Sequence, residues 1–219
     1  MPDAAACFDA QCSRCPRLVA YRNESRYRYP EYHSAPVPAF GDADPRLLIV
    51  GLAPGLHGAN RTGRPFTGDH AGLLLYETLH ALGLGSQPQS VAADDPLQLF
   101  EVRITNAVKC VPPENKPTPA ETRNCLGYLD AELAALARVR AVLALGRIAH
   151  DAVLAALGIK RAAFTFAHGA EHALPGGRWL IDSFHCSRYN TQTRRLTAAM
   201  FHTVLARAAT LSGLSVPGP

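Results

Sequence analysis

No apolar run in the chain approaches the ~18 residues that a membrane-crossing helix needs, so no membrane partner is expected. The N-terminal stretch lacks the charged-then-apolar pattern of a signal peptide, which points to a cytoplasmic protein. There is no internal repeat and no low-complexity tract, which excludes repeat architectures. The glycine-rich stretch after the first apolar run is not followed by Gly-Lys-Ser/Thr. It contains no Gly-x-Gly-x-x-Gly either, so the usual nucleotide-phosphate loops are disfavoured. What remains is a chain of 219 residues with 47% hydrophobic content, enough for one α/β domain with a full core. A monomer is the default expectation.

The net charge of +4 hides an asymmetry. From Arg138 to the end there are ten Lys/Arg against three Asp/Glu, whereas residues 36–137 hold seven against eleven. A basic C-terminal third can be an electrostatic footprint for a polyanion or simply a solvated surface.

Four short β-rich runs stand out, at 46–52, 103–108, 140–145 and 178–183. Helical patterns at 70–82, 118–137, 147–157 and 193–211 follow them in turn. The second helix opens on Thr118-Pro119-Ala120-Glu121, a capping box with proline in the first turn. Strands alternating with helices predict a parallel sheet covered on both faces. Ligands of such sheets bind beyond the carboxyl ends of the strands, where the unusual segments of this sequence fall. Residues 216–219 read as a frayed tail.

Six cysteines in a chain of this type argue for metal or redox chemistry before disulfides. Cys12 and Cys15 form a Cys-x-x-Cys. Cys110 follows the second strand, and Cys125 sits in the capped helix on the same face as Leu129, Leu133 and Leu136. Four thiolates could hold an iron–sulfur cluster or, less naturally at this spacing, zinc; buried structural cysteines are the third reading. Cys7 and Cys186 lie outside the set.

Two loops carry the remaining chemistry. The 51–69 loop holds five glycines in nineteen residues, with Arg61 and Arg64 suited to a phosphate backbone and Phe66 suited either to stacking on a base or to anchoring the loop. His185 follows the fourth strand and opens a basic, donor-rich run that includes Arg188, Tyr189, Asn190, Arg194 and Arg195.

Taken together, five ordered segments resemble the uracil-DNA glycosylase superfamily, and most closely its family 5, the B-type enzymes. They are 12–19, 51–69, 104–119, Ala144-Leu145-Gly146-Arg147 and 185–197. The resemblance spans residues 12 to about 211 and implies a single domain over 1–219: a three-layer α/β/α sandwich on a short four-stranded parallel sheet. It implies a [4Fe–4S] cluster on Cys12, Cys15, Cys110 and Cys125, structural in role. It also implies a DNA-repair enzyme that flips uracil or a related deaminated base out of DNA and hydrolyses its N-glycosidic bond, leaving an abasic site.

In this reading Asp69, Asn115 and His185 are catalytic. Phe66, Asn106, Ala53 and Gly55 meet the base, with Asn106 or Asn115 hydrogen-bonding it. Arg61, Arg64, Arg188, Asn190, Arg194 and Arg195 meet the DNA. Other families of the superfamily carry a water-activating polar residue where Leu52 and Ala53 stand here, so Asp69 is the group expected to handle the water. Two other readings keep the same residues: a DNA-binding protein without catalysis, and a hydrolase of small nucleotides.

Overall fold

The structure is a computed structural model that describes residues 8–217; Cys7, Gly218 and Pro219 lie outside it. Six strands form one sheet: β1 (Phe40–Gly41), β2 (Leu47–Gly51), β3 (Val102–Asn106), β4 (Ala141–Leu145), β5 (Glu171–Ala173) and β6 (Trp179–Ser183). Their order is β1-β3-β2-β4-β6-β5. The four strands expected from sequence are the parallel centre, β3-β2-β4-β6. The expected count of four is corrected to six by antiparallel edges at β1 and β5, only two and three residues long. Runs so short carry no readable period-2 signal.

Every residue of β2 and β4 is buried, because alternate side chains enter two different cores. Leu47, Ile49, Leu143 and Leu145 pack with Leu75 and Leu79 of α3 (His70–Ala81) and with Phe201 and Leu205 of α7 (Ala198–Leu211). Leu48, Val50, Val142 and Ala144 pack on the opposite face, with Leu129 and Leu133 of α4 (Pro119–Ala135) and Val153 of α5 (Arg147–Ala156). That is the three-layer arrangement. The capping box at Thr118 and Glu121 forms in both directions, starting α4 as its residues predict.

Two helical expectations change. The helix expected over 193–211 starts later, as α7 at Ala198 with Thr197 as its cap, and a separate short helix, α6 (Arg188–Gln192), precedes it, with Arg194 at φ 55° between the two. The structure adds a four-residue α2 (Ala59–Thr62) inside the glycine-rich loop, and α1 (Pro16–Arg28), whose buried side chains are only Leu18, Arg22 and Ser25. Without an apolar stripe it leaves no periodic trace. Val216, placed by sequence in a frayed tail, is half-buried against the core.

The basic C-terminal third does not form one face. Arg178 donates to the Leu133 and Leu136 carbonyls at the end of α4, and Arg207 pairs with Glu171. These arginines satisfy carbonyls and carboxylates, while Arg147, Arg188, Arg194 and Arg195 are exposed near the carboxyl ends of the strands. Among the described residues no helix is long and apolar enough to cross a membrane. From β2 the chain moves outward to β3, then crosses back to β4 on the other side. The switch point therefore lies between the carboxyl ends of β2 and β4, where a ligand crevice is expected.

Candidate active site and cysteine centre

β2 ends on Gly51, in register with Asn106 at the end of β3. A Cβ on Gly51 would sit 2.4 Å from Asn106 Oδ1 and 2.6 Å from Phe66 Cζ, so the glycine makes room for both side chains. Asn106 is 3% exposed, and its Oδ1 has no hydrogen-bond partner in the protein. A buried acceptor left unpaired costs about 1–3 kcal/mol, a cost that a bound donor would remove.

Phe66 is only 6% exposed and adopts φ 56°. Its ring lies beside that of His185, with centroids 5.9 Å apart and planes 27° apart. A base does not fit between the two rings at that spacing. Phe66 is thus held inside the loop, beside His185 and under Gly51. Burial lowers the His185 pKa to about 4, so the imidazole is neutral at pH 7 and one ring nitrogen donates.

Asp69 is the N-cap of α3. Its Oδ1 accepts the Gly72 N–H at 2.9 Å, the capping role that aspartate commonly fills. Its Oδ2 faces the glycine loop instead: a Cβ on Gly55 would be 3.5 Å from it and 3.9 Å from Asn115 Oδ1. Asp69 and Asn115 therefore approach Gly55 together. Asn115 gets there through the 3-10 turn Pro113–Asn115, where Glu114 and Asn115 both have φ near 55°. Burial raises the Asp69 pKa, against the pull of the Gly72 and Ala71 amides. Leu52 and Ala53 add no polar group; Ala53 leans on the cysteine cluster.

The expected DNA residues separate. Arg64 is corrected: it is not exposed but 6% accessible, paired with the Asp95 carboxylate and donating to the Ala93 carbonyl and Ser90 Oγ. Its guanidinium also covers the Phe40 ring at 4.2 Å. It holds the loop and leaves nothing for a phosphate. Arg61 is exposed, braced by its Nε donating to the His57 carbonyl at 2.8 Å. Arg188, Arg194 and Arg195 are exposed, with Tyr189 at 69%. Asn190 spends its amide nitrogen on the His185 carbonyl at 2.8 Å, which shapes the loop from inside.

Sequence reasoning missed three contributors. His70 Nε2 meets Thr191 Oγ1 at 2.9 Å, tying α3 to α6. Arg147 opens α5, exposed over the Phe166 ring at 5.4 Å. His168 accepts the Phe184 N–H through Nδ1. Arg147 stood in a segment of the family resemblance and could have been found there. The two histidines carry no sequence signal, because their partners are far away in the chain.

Cys12, Cys15, Cys110 and Cys125 line one small cavity with Leu18, Val108 and Tyr128. All four are free thiols. Three sulfurs face N–H donors: Cys125 the Lys109 amide at 3.2 Å, Cys110 the Arg22 guanidinium at 3.5 Å, and Cys15 the Asn124 amide at 3.6 Å. Burial pushes the Cys110 thiol up to about 12, opposed by Arg22. Converging sulfurs with donors aimed at them form a site that fits a thiolate-bound metal cluster. Cys186 is buried elsewhere, in the core beneath α7.

Residues 38–209 match the family described as the uracil DNA glycosylase superfamily. The chain is similar to the type-5 uracil-DNA glycosylase of Thermus thermophilus, 53% identical over 93% of this chain and 94% of the relative. It is 47% identical to the type-5 enzyme of Pyrobaculum aerophilum, over 92% and 89% of the two chains. The type-5 enzyme of Mycobacterium leprae is 44% identical, over 93% and 92%.

Proposed function

This chain belongs to the uracil-DNA glycosylase superfamily, and from that premise we propose that it removes uracil from DNA by hydrolysing the N-glycosidic bond. The observation that carries the reading is that, beyond the carboxyl ends of the strands, Asn106 and Phe66 close on Gly51, Phe66 lies beside His185, and Asp69 and Asn115 close on Gly55. A base stacked within a duplex is out of reach, so the nucleotide flips into this crevice at a cost of a few kcal/mol. The unpaired Asn106 Oδ1 accepts the N–H of a uracil ring. Bond cleavage leaves negative charge on the base and positive charge on the sugar. Neutral His185 keeps one ring N–H and donates it to the departing base. Asp69 Oδ2, with Asn115 across Gly55, orients water and favours the cationic sugar. The exposed Arg188, Arg194 and Arg195 engage phosphates along the His185 loop.

The same pocket supports action on other deaminated bases such as hypoxanthine, because Leu52 and Ala53 add no polar group that would reject a larger ring. Cys12, Cys15, Cys110 and Cys125 would hold a [4Fe–4S] cluster that crosslinks α1, the segment after β3 and α4. None of the steps above passes through it.

Incubating the protein with uracil-containing oligonucleotides, followed by alkali, tests the activity: strand scission at the uracil is expected. Binding without scission would leave a DNA-binding protein. Cleavage of free deoxyuridine alone would leave a small-nucleotide hydrolase. A hypoxanthine-containing duplex in the same assay tests breadth independently. Iron content after anaerobic purification tests the cluster; it should fall with Cys125→Ser and persist with Cys7→Ser. Stoichiometric zinc without iron overturns the cluster.

A further inference from the structure

Phe184 directly precedes His185 and lies beyond the last ladder pair of β6, Leu145 with Ser183. Its backbone N–H therefore needs a partner outside the sheet. His168 provides it: the N–H donates to His168 Nδ1 at 3.2 Å. The two rings stack as well, with centroids 5.0 Å apart and planes 17° apart. The Arg195 guanidinium lies 4.5 Å from the centroid of the Phe184 ring. For Nδ1 to accept, it must carry no proton, and burial lowers the His168 pKa in that direction.

The loop that presents His168 is held by an unusual set of buried groups. The Asp182 carboxylate of β6, fully buried, accepts from His150 Nδ1 at 2.7 Å and from His172 Nε2 at 3.0 Å. The other ring nitrogen of His150 meets the Phe164 carbonyl at 3.2 Å. Both nitrogens of His150 thus face acceptors, which favours the doubly protonated ring beside Asp182. Burial works against this charge, yet the Asp182 bond and its proximity raise the His150 pKa.

His150, His172 and Asp182 are a metal-ligand set by residue type. Their carboxylate, however, gives one oxygen to each ring at hydrogen-bond length, and His150's second nitrogen is already taken. The network satisfies itself. Gly169 N–H to the Asp182 carbonyl, at 2.8 Å, and Asp182 N–H to the Ala170 carbonyl, at 3.0 Å, close the frame just after His168, while the Phe164 carbonyl on His150 ties down the chain before it.

We propose that His168 is a positioning residue for His185, fixing the peptide that carries it from a loop held by the buried His150–Asp182–His172 network. The inference rests on the reading of His185 as the donor to the departing base. Among the described residues the frame's hydrogen bonds run through β6, α5 and the 164–172 segment and none reaches Asp69 or Asn115, so it acts on the base side of the reaction and not on the water. Loss of His168 should therefore copy loss of His185, in weaker form.

The test compares single-turnover release of uracil and of 5-fluorouracil from the same duplex. Fluorouracil is the better leaving group and needs less hydrogen-bond help. His168→Ala should slow uracil release by about 10-fold, and fluorouracil release by clearly less, since a small displacement of a catalytic group is costly. DNA affinity should stay at the wild-type value. His168→Asn places an amide oxygen near the position of Nδ1 and should recover most of the rate. His168→Phe keeps the stacking without the acceptor, and should stay slow even where the alanine variant folds poorly. The double variant His168→Ala/His185→Ala should be no slower than His185→Ala alone.

Equal slowing of both substrates, additivity with His185→Ala, or asparagine no better than phenylalanine would each overturn the proposal while leaving His185's role intact. If His185→Ala itself cleaves both substrates at the wild-type rate, the reading of His185 fails and this proposal fails with it.

Discussion

The two loops that flank the crevice are built in opposite ways. The 51–69 loop is turned inward. Arg64 is spent on Asp95, Phe66 is buried, Tyr76 from α3 donates to the Pro65 carbonyl at 2.6 Å, and Thr67 bonds Ser90. The 184–197 loop is turned outward, with Tyr189 and three arginines exposed and its shape set by Asn190 and His70. The contrast suggests a division of labour. A loop whose cations are used up internally can hold a carboxylate at fixed distance from a reacting sugar. One whose cations are free can meet a phosphate backbone wherever it arrives.

The sharpest way to break this contrast is Arg64→Ala. It leaves the half-buried Asp95 carboxylate to the Val91, Ala92 and Leu97 amides, and losing the charged partner costs about 1–3 kcal/mol. Urea unfolding should show that loss, while the salt dependence of DNA binding in the folded fraction should not change. A lowered salt slope with normal stability would return Arg64 to the phosphate-binding set.

Asp69→Ala comes next. Loss of an electrostatic stabiliser predicts slowing on the order of 10²-fold on every base, with DNA affinity retained. Asp69→Asn separates orientation from charge, because the amide still reaches the water. Burial holds the Asp69 pKa above the ordinary carboxylate value. Protonation then removes the charge as the pH falls, so the acid limb of the rate profile should begin above the usual aspartate range and vanish in Asp69→Asn. A variant that cleaves at the wild-type rate would reduce Asp69 to its cap.

The outward loop predicts a smaller effect of another kind. Removing one arginine that neutralises a phosphate makes the slope of log K against log salt shallower by about 0.9. Arg194→Ala and Arg195→Ala should each show that change and little change in the chemical step, apart from what Arg195 contributes through Phe184. Tyr76→Phe should be mildest. It removes one buried hydrogen bond from the inward loop, about 1 kcal/mol of stability, and a melting curve would resolve it.

The parallel centre of the sheet was legible because β2 and β4 are continuous apolar runs, and α4 because its cap is written in four adjacent residues. The site was partly legible for the same reason: Asp69, His185 and Asn106 stand at strand or helix ends, where position in the chain already implies position in the fold. Arg64 shows the limit. Its type and its glycine-rich surroundings speak for phosphate, and only the 31-residue gap to Asp95, closed by folding, reveals the ion pair. The same holds for α1, where Arg17 reaches Glu121 across 104 residues and Arg22 reaches Cys110 across 88. Interactions at such separations leave no local pattern to read.

The cysteine centre joins the two ends of that long separation. Cys15 and Cys125 stand 110 residues apart and line one cavity. At about 5–20 residues per second, a ribosome needs roughly 6–22 s to pass from one to the other. Throughout that interval the first thiol pair is in the cell with no second pair to meet. It stays without one until residues 119–135 have emerged and folded, because Arg17 anchors α1 to the first turn of that helix. The segment made first thus waits for α4 before it can take its place. While it waits, its two thiols are open to any metal or oxidant nearby, and the quality of the finished protein depends on what the cell lets near them in those seconds.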